Sequence, residues 1–361
     1  MKKYNCKNCG AELYWDSNAN CLKCEYCDHE FQITDFETGE SEKEQEDKKH
    51  SNEPEVADEH SKATDDSDSV ELVVYKCNHC GAEIVTAKST VATTCAYCGR
   101  AITMTNKMVD EFKPDLIIPF CIDEKQAKEI YKKYVHSSFL TPKEFKSENT
   151  IKKIKGIYVP FWLHTFVNNT NAVVYGENIT SMRRGDDKIV EHHMYNIMID
   201  AEGKFTNIPT DALKNLDNKL MDAIEPFDYQ KLVEFKAAYM AGFYAEEYNE
   251  GADVTITRAT ERAKQTMLSK VEYEAGVYGI KHILSSNEQI QDKQSKYAML
   301  PVWLLNVEHK QKEYLFAING ETGKIVGKLP MSVPKLLGVA GLSFVGSFIL
   351  LLIIFLIGGA L

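Results

Sequence analysis

Beyond residue 110 the apolar positions recur with two different periods. Steps of three and four residues mark helices. Ala127, Ile130 and Tyr134 form one stripe, with Asp123 placed to cap it. Leu213, Leu216, Leu220 and Ile224 form a second, starting at Asp211. Leu232, Phe235 and Tyr239 form a third, running from Asp228 to Gly242. Ile256, Ala259, Ala263, Met267 and Val271 form a fourth, with charges between them. Between these stripes, residues 157–167, 189–199, 299–307 and 314–318 are β-branched or aromatic and read as strands. The last runs into Asn319-Gly320-Glu321-Thr322-Gly323 and then Lys324-Ile325-Val326, which predicts a C-terminal hairpin. Val159-Pro160-Phe161-Trp162-Leu163 and Leu300-Pro301-Val302-Trp303-Leu304 are similar phrases, weakly echoed by Ile118-Pro119-Phe120. Proline in an apolar run belongs at a strand start or a sheet edge, so these phrases read as the beginnings of buried strands. Alternating helical and strand signals over 110–330 make this an α+β body.

The pattern changes at the C-terminal side. Leu336 to Leu361 contains no charged residue. At ~1.5 Å per residue such a helix exceeds the ~30 Å hydrocarbon layer. A buried core helix of that length would show a polar face; here only Ser343, Ser347 and several glycines interrupt it. Residues 336–361 therefore read as a transmembrane helix. Lys324, Lys328 and Lys335 precede it and no cation follows, which places the N-terminal part in the cytoplasm. Ser343 and Ser347, four apart, are at most a weak helix–helix contact motif.

The front of the chain is organised by cysteine. Eight of the ten cysteines form four Cys-x-x-Cys pairs. A shift of 71 residues lays Tyr4, Cys6, Cys9, Gly10, Ala11 and Glu12 on Tyr75, Cys77, Cys80, Gly81, Ala82 and Glu83. Cys24, Tyr26 and Cys27 fall on Cys95, Tyr97 and Cys98. One unit is used twice. The spacing matches four-thiolate zinc ribbons, with Cys6, Cys9, Cys24 and Cys27 around one ion and Cys77, Cys80, Cys95 and Cys98 around a second. Each pair makes a tight knuckle. Gly10, Gly81 and Gly99 ease the turn, and Asp28 stands at the fourth such place. Four protein ligands leave no open position for substrate, so two structural Zn2+ ions are expected, with zinc ribbons at 1–36 and 71–105. Redox dithiols compete as a reading, but no βαβ pattern accompanies the pairs. Cys21 would offer a different register in the first ribbon; it aligns with Ala92, so it reads as a bystander. Cys121 reads as a small buried hydrophobe. Met1-Lys2-Lys3 leads into the cysteines without an apolar stretch, and metal-bound thiolates imply a reducing compartment.

Length, 361 residues, suggests a multidomain chain. Of the net charge of −11, residues 40–69 supply −8, with twelve Asp or Glu and four Lys. Residues 37–70 therefore read as an acidic, disordered linker. Outside it no broad basic surface suggests nucleic acid as the main partner. Five lysines between 143 and 155 read as a solvated face, with anionic lipid as the other option. His192 and His193 follow Glu191, but neighbours on a strand point to opposite faces and do not share a metal. No phosphate-binding loop, nucleophile elbow, zinc-protease or dinucleotide motif is present, so no catalytic residue is assigned and no enzyme is expected.

Paired N-terminal ribbons, YVPFWL, LPVWLL, YLFAINGETGKIVGKLP and a tail helix together resemble the YdjG-like family of bacterial zinc-ribbon membrane proteins. The primosomal helicase-like label that such proteins often carry has no motor motif behind it here. The resemblance implies an envelope setting, with flotillin-like or phage-shock-protein-A-like membrane partners. Only the eight ribbon cysteines carry over residue by residue. The expectation is a tail-anchored, single-pass, cytoplasm-facing scaffold at the cell membrane; a nucleic-acid-associated regulator using its ribbons is the alternative.

Overall fold

The computed structural model describes residues 4–11, 13–37, 72–77, 81–87, 95, 97, 103–108, 114–214 and 216–358. The acidic stretch expected as a linker lies outside the described residues from 38 onward. In chain order, β1 (Leu13–Asp16), β2 (Cys21–Cys24) and β3 (Glu30–Phe31) make a small antiparallel sheet followed by a helical turn, α1 (Thr34–Glu37). Three antiparallel strands follow: β4 (Leu72–Lys76), β5 (Glu83–Ala87) and β6 (Thr103–Met108). Then come β7 (Leu116–Ile117), α2 (Glu124–His136), α3 (Glu148–Ile151), β8 (Lys155–Arg184), β9 (Asp187–Asp211) and α4 (Asn218–Ile224). The chain continues with β10 (Val233–Glu234), β11 (Tyr244–Glu246), α5 (Ala252–Glu274), β12 (Ile280–His309), β13 (Lys312–Asn319), β14 (Ile325–Gly327) and α6 (Val333–Gly358).

β8 and β12 are the frame. Each runs 30 residues, roughly 100 Å at ~3.3 Å per residue. They pair antiparallel nearly end to end, and β9 pairs with the other side of β8. Their two halves differ because their cover differs. In the body half both faces are packed. Ile117, Phe120, Tyr131, Phe145, Tyr158 and Phe316 fill one side, under α2. Val159, Phe161, Leu163, Leu300, Leu304 and Met221 fill the other, under α4. Strands buried on both faces need no polar alternation, which explains the unbroken apolar phrases around Trp162 and Trp303. In the far half α5 covers only one face. There Phe166, Ala172 and Val174 point into the helix-covered side, packing with Ala259, Ala263 and Val271.

This second half overran the expected strand limits. Asn168, Asn169, Thr170 and Asn171 suit a turn, yet β8 passes straight through them. Ladders on both sides hold their backbone, Asn169 facing Glu202 on β9 and Gln289 on β12. Cooperative pairing outweighs weak local strand preference.

The two buried prolines also differ from expectation. Pro160 and Pro301 sit inside β8 and β12, not at their starts. Each lies where one neighbouring strand gives way to another. β11 leaves β8 at Tyr158 and β9 joins at Phe161; β7 leaves β12 at Met299 and β13 joins at Val302. The proline carbonyls are still used, accepting from Ala212 N at 3.0 Å and Gly320 N at 2.8 Å. The missing N–H falls in the gap between partners, which is why proline is tolerated there.

Two of the expected helices differ in the structure. Asp211 is not a cap: it ends β9, fully buried, and its carboxylate takes Arg258 at 2.7 Å. The helix begins only after Asp217, so Leu213 and Leu216 reach the core from a loop. The stripe from Asp228 to Gly242 is no single helix. Asp228 caps one 3-10 turn over Tyr229–Lys231, β10 then pairs with β7, and a second turn covers Ala237–Met240. Pairing and burial of its apolar residues against separate elements broke the helical period. The other two stripes are helices: α2 with a full Asp123–Gln126 capping box, and α5 with Ala259, Ala263, Met267 and Val271 buried. The C-terminal hairpin forms as β13–β14, with Gly323 at φ +76 after Asn319.

Among the described residues one helix, α6, is long and apolar enough to cross a membrane by length and composition, and none of its apolar window is buried in the protein. Its start is tied to the body: Ser332 N donates to Leu140 O at 2.8 Å, and Lys335 Nζ donates to the carbonyls of Phe139 and Thr141 at 3.1 and 2.7 Å.

Candidate metal centre

The first cysteine module closes around four sulfurs. The Sγ atoms of Cys6, Cys9, Cys24 and Cys27 all lie within 4.8 Å of one another. Cys6 and Cys27 are 3.4 Å apart, Cys9 and Cys24 3.5 Å. Four sulfurs held at ~2.3 Å around one ion would sit roughly 3.8 Å apart, so the cage fits a tetrahedral thiolate-bound metal. The backbone explains why the sulfurs converge. Gly10 N donates to Cys6 O at 2.8 Å and Cys6 N to Ala11 O at 2.7 Å. The second knuckle repeats this, with Asp28 N to Cys24 O and Cys24 N to His29 O, both at 3.0 Å. Gly10 and Asp28 close the two turns with φ of +76 and +56. That conformation is free for glycine and tolerable for aspartate.

The thiols are set apart by the same backbone. Burial pushes Cys6 up, but the N–H groups of Asn8 and Cys9, with the Cys27 and Cys9 sulfurs, outweigh it and bring it down to about 7. In Cys24 burial is likewise outweighed, here by the N–H groups of Cys27 and Tyr26, and its thiol is lowered. Cys9 goes the other way, to about 12: the Ala11 N–H lowers it, but burial and three neighbouring sulfurs raise it more. Four converging sulfurs make an all-thiolate set, which suits a soft or borderline ion. Cys21 is buried on β2 and stands outside the four-sulfur group.

The second module repeats the knuckle where it is described. Gly81 N donates to Cys77 O at 2.9 Å and Cys77 N to Ala82 O at 2.8 Å, matching Gly10, Cys6 and Ala11 after the 71-residue shift. Gly81 has φ +77. Cys77 and Cys95 are buried in one cluster with Ala82 and Ile84. Cys80 and Cys98, like Gly99, lie outside the described residues.

Neither module floats free of the body, and one short segment meets both. Trp15 N donates to Ala241 O at 3.2 Å, Trp15 stacks edge-on to Tyr239 at 4.8 Å, and Asn18 Nδ2 reaches Asp123 Oδ2 at 2.7 Å. A cleft of about 420 Å³ remains beside this joint, between Tyr14, Asp16, Asp123 and Trp303. Three residues further on, β11 pairs antiparallel with β5 and parallel with β8. The second module thus continues the body sheet, and Asn306 Nδ2 adds a bond to Tyr97 O at 2.8 Å. Nothing in the sequence signalled this docking: the helical stripe read through Tyr239 to Gly242 is replaced here by a 3-10 turn and a three-residue strand.

The remaining candidates are structural. His192 Nδ1 meets Glu177 at 2.5 Å and His193 Nε2 meets Glu191 at 3.6 Å, so the two imidazoles diverge. Lys143, Lys152 and Lys153 are exposed. Cys121 is half-buried, beside Lys231 and Glu321, and burial pushes its thiol up. Sequence reasoning missed a charge network anchored on buried Asp211: Arg258 joins Asp211 and Asp222, and Arg262 forks onto Glu225 at 3.0 and 2.7 Å. It ties α5 to the ends of β9 and α4.

With the geometry in place, comparison with known proteins gives one informative likeness. The chain is 29% identical over 341 residues to the uncharacterized protein YdjG of Bacillus subtilis (strain 168), a match covering 80% of this chain and 99% of that protein. No family model and no solved structure matches.

Proposed function

We propose that this protein is a membrane-anchored scaffold whose two cysteine modules each hold a structural zinc ion. The observation that carries the reading is α6. It is a bare apolar helix tied at its first turn to a body that also seats both modules. Exposed Phe139 and Met331 sit beside that turn and extend its apolar surface where it leaves the body. Lys324, Lys328 and Lys335 flank the helix on the body side, so the body faces the cytoplasm. Zinc suits the first module because four thiolates close a tetrahedron without an open position, a shape-holding and not a catalytic site. The repeated knuckle extends the same argument to Cys77, Cys80, Cys95 and Cys98. Docked modules present fixed surfaces for membrane partners of flotillin-like or phage-shock-protein-A-like kind.

The test is fractionation and proximity labelling of the full chain in cells, with metal content measured on detergent-extracted protein. Membrane pelleting, two zinc ions per chain and labelled envelope proteins are expected. A detergent-free soluble protein overturns the anchor. Salt-dependent binding of DNA or RNA in place of membrane partners replaces the scaffold with a nucleic-acid regulator.

A further inference from the structure

The ribbon of β9, β8 and β12 has one long uncovered side. β9 hydrogen-bonds as a strand to β8 alone. Near the body its outward carbonyls are taken by α5: Arg262 donates to Pro209 O at 2.8 Å and Arg258 to Asp211 O at 3.4 Å. From residue 187 to 206 no backbone partner covers that edge among the described residues. A free edge of this length presents a row of donors and acceptors ready for another strand. The adjoining face, away from α5, is also bare. On it Val190, Met194 and Met198 are 43%, 65% and 83% exposed, between Lys188 at one end and Asp200 at the other.

We propose that β9 pairs antiparallel with β9 of a second copy of this chain, about a two-fold axis at Met194. A two-fold axis normal to the sheet brings residues of the same face together. Centred on Met194, it sets Met194 on Met194, Val190 on Met198, His192 on Asn196 and Lys188 on Asp200. Every exposed apolar side chain that β9 itself carries on that face then meets another, and both charges meet their opposites. Moving the axis one residue either way sets Val190 against Asp200 or Asn196, and Met198 against His192 or Lys188. On the helix-side face the same register joins Ile189 to Ile199 and His193 to Tyr195. α5 rests on the body side of the axis, against residues such as Ile199 and Phe205, so the two helices do not collide. The result is a continuous six-stranded sheet across two chains.

The experiment uses the full chain in detergent, with a short bismaleimide crosslinker and the parent protein as baseline. Met194→Cys places two thiols on the axis; Glu202→Cys, exposed on the same face, places them far apart along the pair. Crosslinked dimer is expected for Met194→Cys and only baseline for Glu202→Cys. Lys188→Asp sets like charges opposite each other twice and weakens self-association about tenfold. Lys188→Asp with Asp200→Lys restores it. Equal crosslinking at both cysteines overturns the proposal, as does a Lys188→Asp protein that associates like the parent. A dimer held by α6 alone gives that overturning pattern.

Discussion

His164 shows how much a single buried polar residue constrains this protein. It is fully buried in β8, with Nδ1 2.8 Å from Ser295 Oγ and Nε2 3.0 and 3.2 Å from the hydroxyls of Thr210 and Thr255. Those hydroxyls belong to β12, β9 and α5, so one imidazole joins four elements. No carboxylate balances a proton there, and burial lowers its pKa from 6.5 to about 4. The unfolded chain therefore takes up this proton at a higher pH than the folded one. Stability is complete above the unfolded value and falls as pH drops from 6.5 towards 4, by on the order of 3 kcal/mol in all. Urea unfolding of the chelated protein at several pH values measures it, chelation removing any contribution from acid release of metal. His164→Gln keeps hydrogen-bonding capacity and should flatten the profile over that window. An unchanged slope would show that other groups set the acid sensitivity.

Among elements, α5 is the one whose side-chain sizes matter most. Its buried stripe is small where it crosses the ribbon: Ala259 and Ala263 lie against Phe166, Phe205 and Ile208. Close approach lets Arg258 and Arg262 reach the carbonyls of Asp211 and Pro209. Ala263→Leu should cost about 1–3 kcal/mol by overpacking, while leucine at exposed Glu261 on the same helix should change stability by no more than about 0.5 kcal/mol. Chemical denaturation of both variants decides whether the helix is clamped this tightly. The stripe itself was legible from sequence, since Ala259, Ala263, Met267 and Val271 keep a four-residue step. The three-residue strand β11 was not, because it exists only as a bridge between β5 and β8.

At the scale of the whole molecule, the proposed metal site and the docking of the first module meet at residues 237–246. An isolated ribbon gains on the order of 10 kcal/mol of folding free energy from its ion. Removing the ion proposed for the first module by chelation, or through Cys24→Ser, should unfold 4–37 and strip Trp15 from Tyr239 and Ala241. The expected result is new protease cleavage within 4–37 and around 237–246, a shift of Trp15 fluorescence towards that of a solvated indole, and continued protection of β8 and β12. A first module that keeps its protease resistance without metal would remove the metal from the account of the fold. The structure seats the first module against the body beside Asp123.

Local chemistry was readable from the chain alone. Cysteine spacing, the knuckle glycines, the 71-residue repeat, the capped α2 and the uncharged tail each depend on neighbours a few residues apart. Those interactions carry their own signal because short-range geometry decides them. Tertiary contact decided the rest. It carried β8 through Asn168–Asn171, placed Pro160 and Pro301 at changes of strand partner, turned Asp211 from a cap into a buried anion, and seated both modules on one irregular segment. In each case a partner distant in sequence supplied hydrogen bonds or burial that outweighed the local preference, and no window of residues contains that partner.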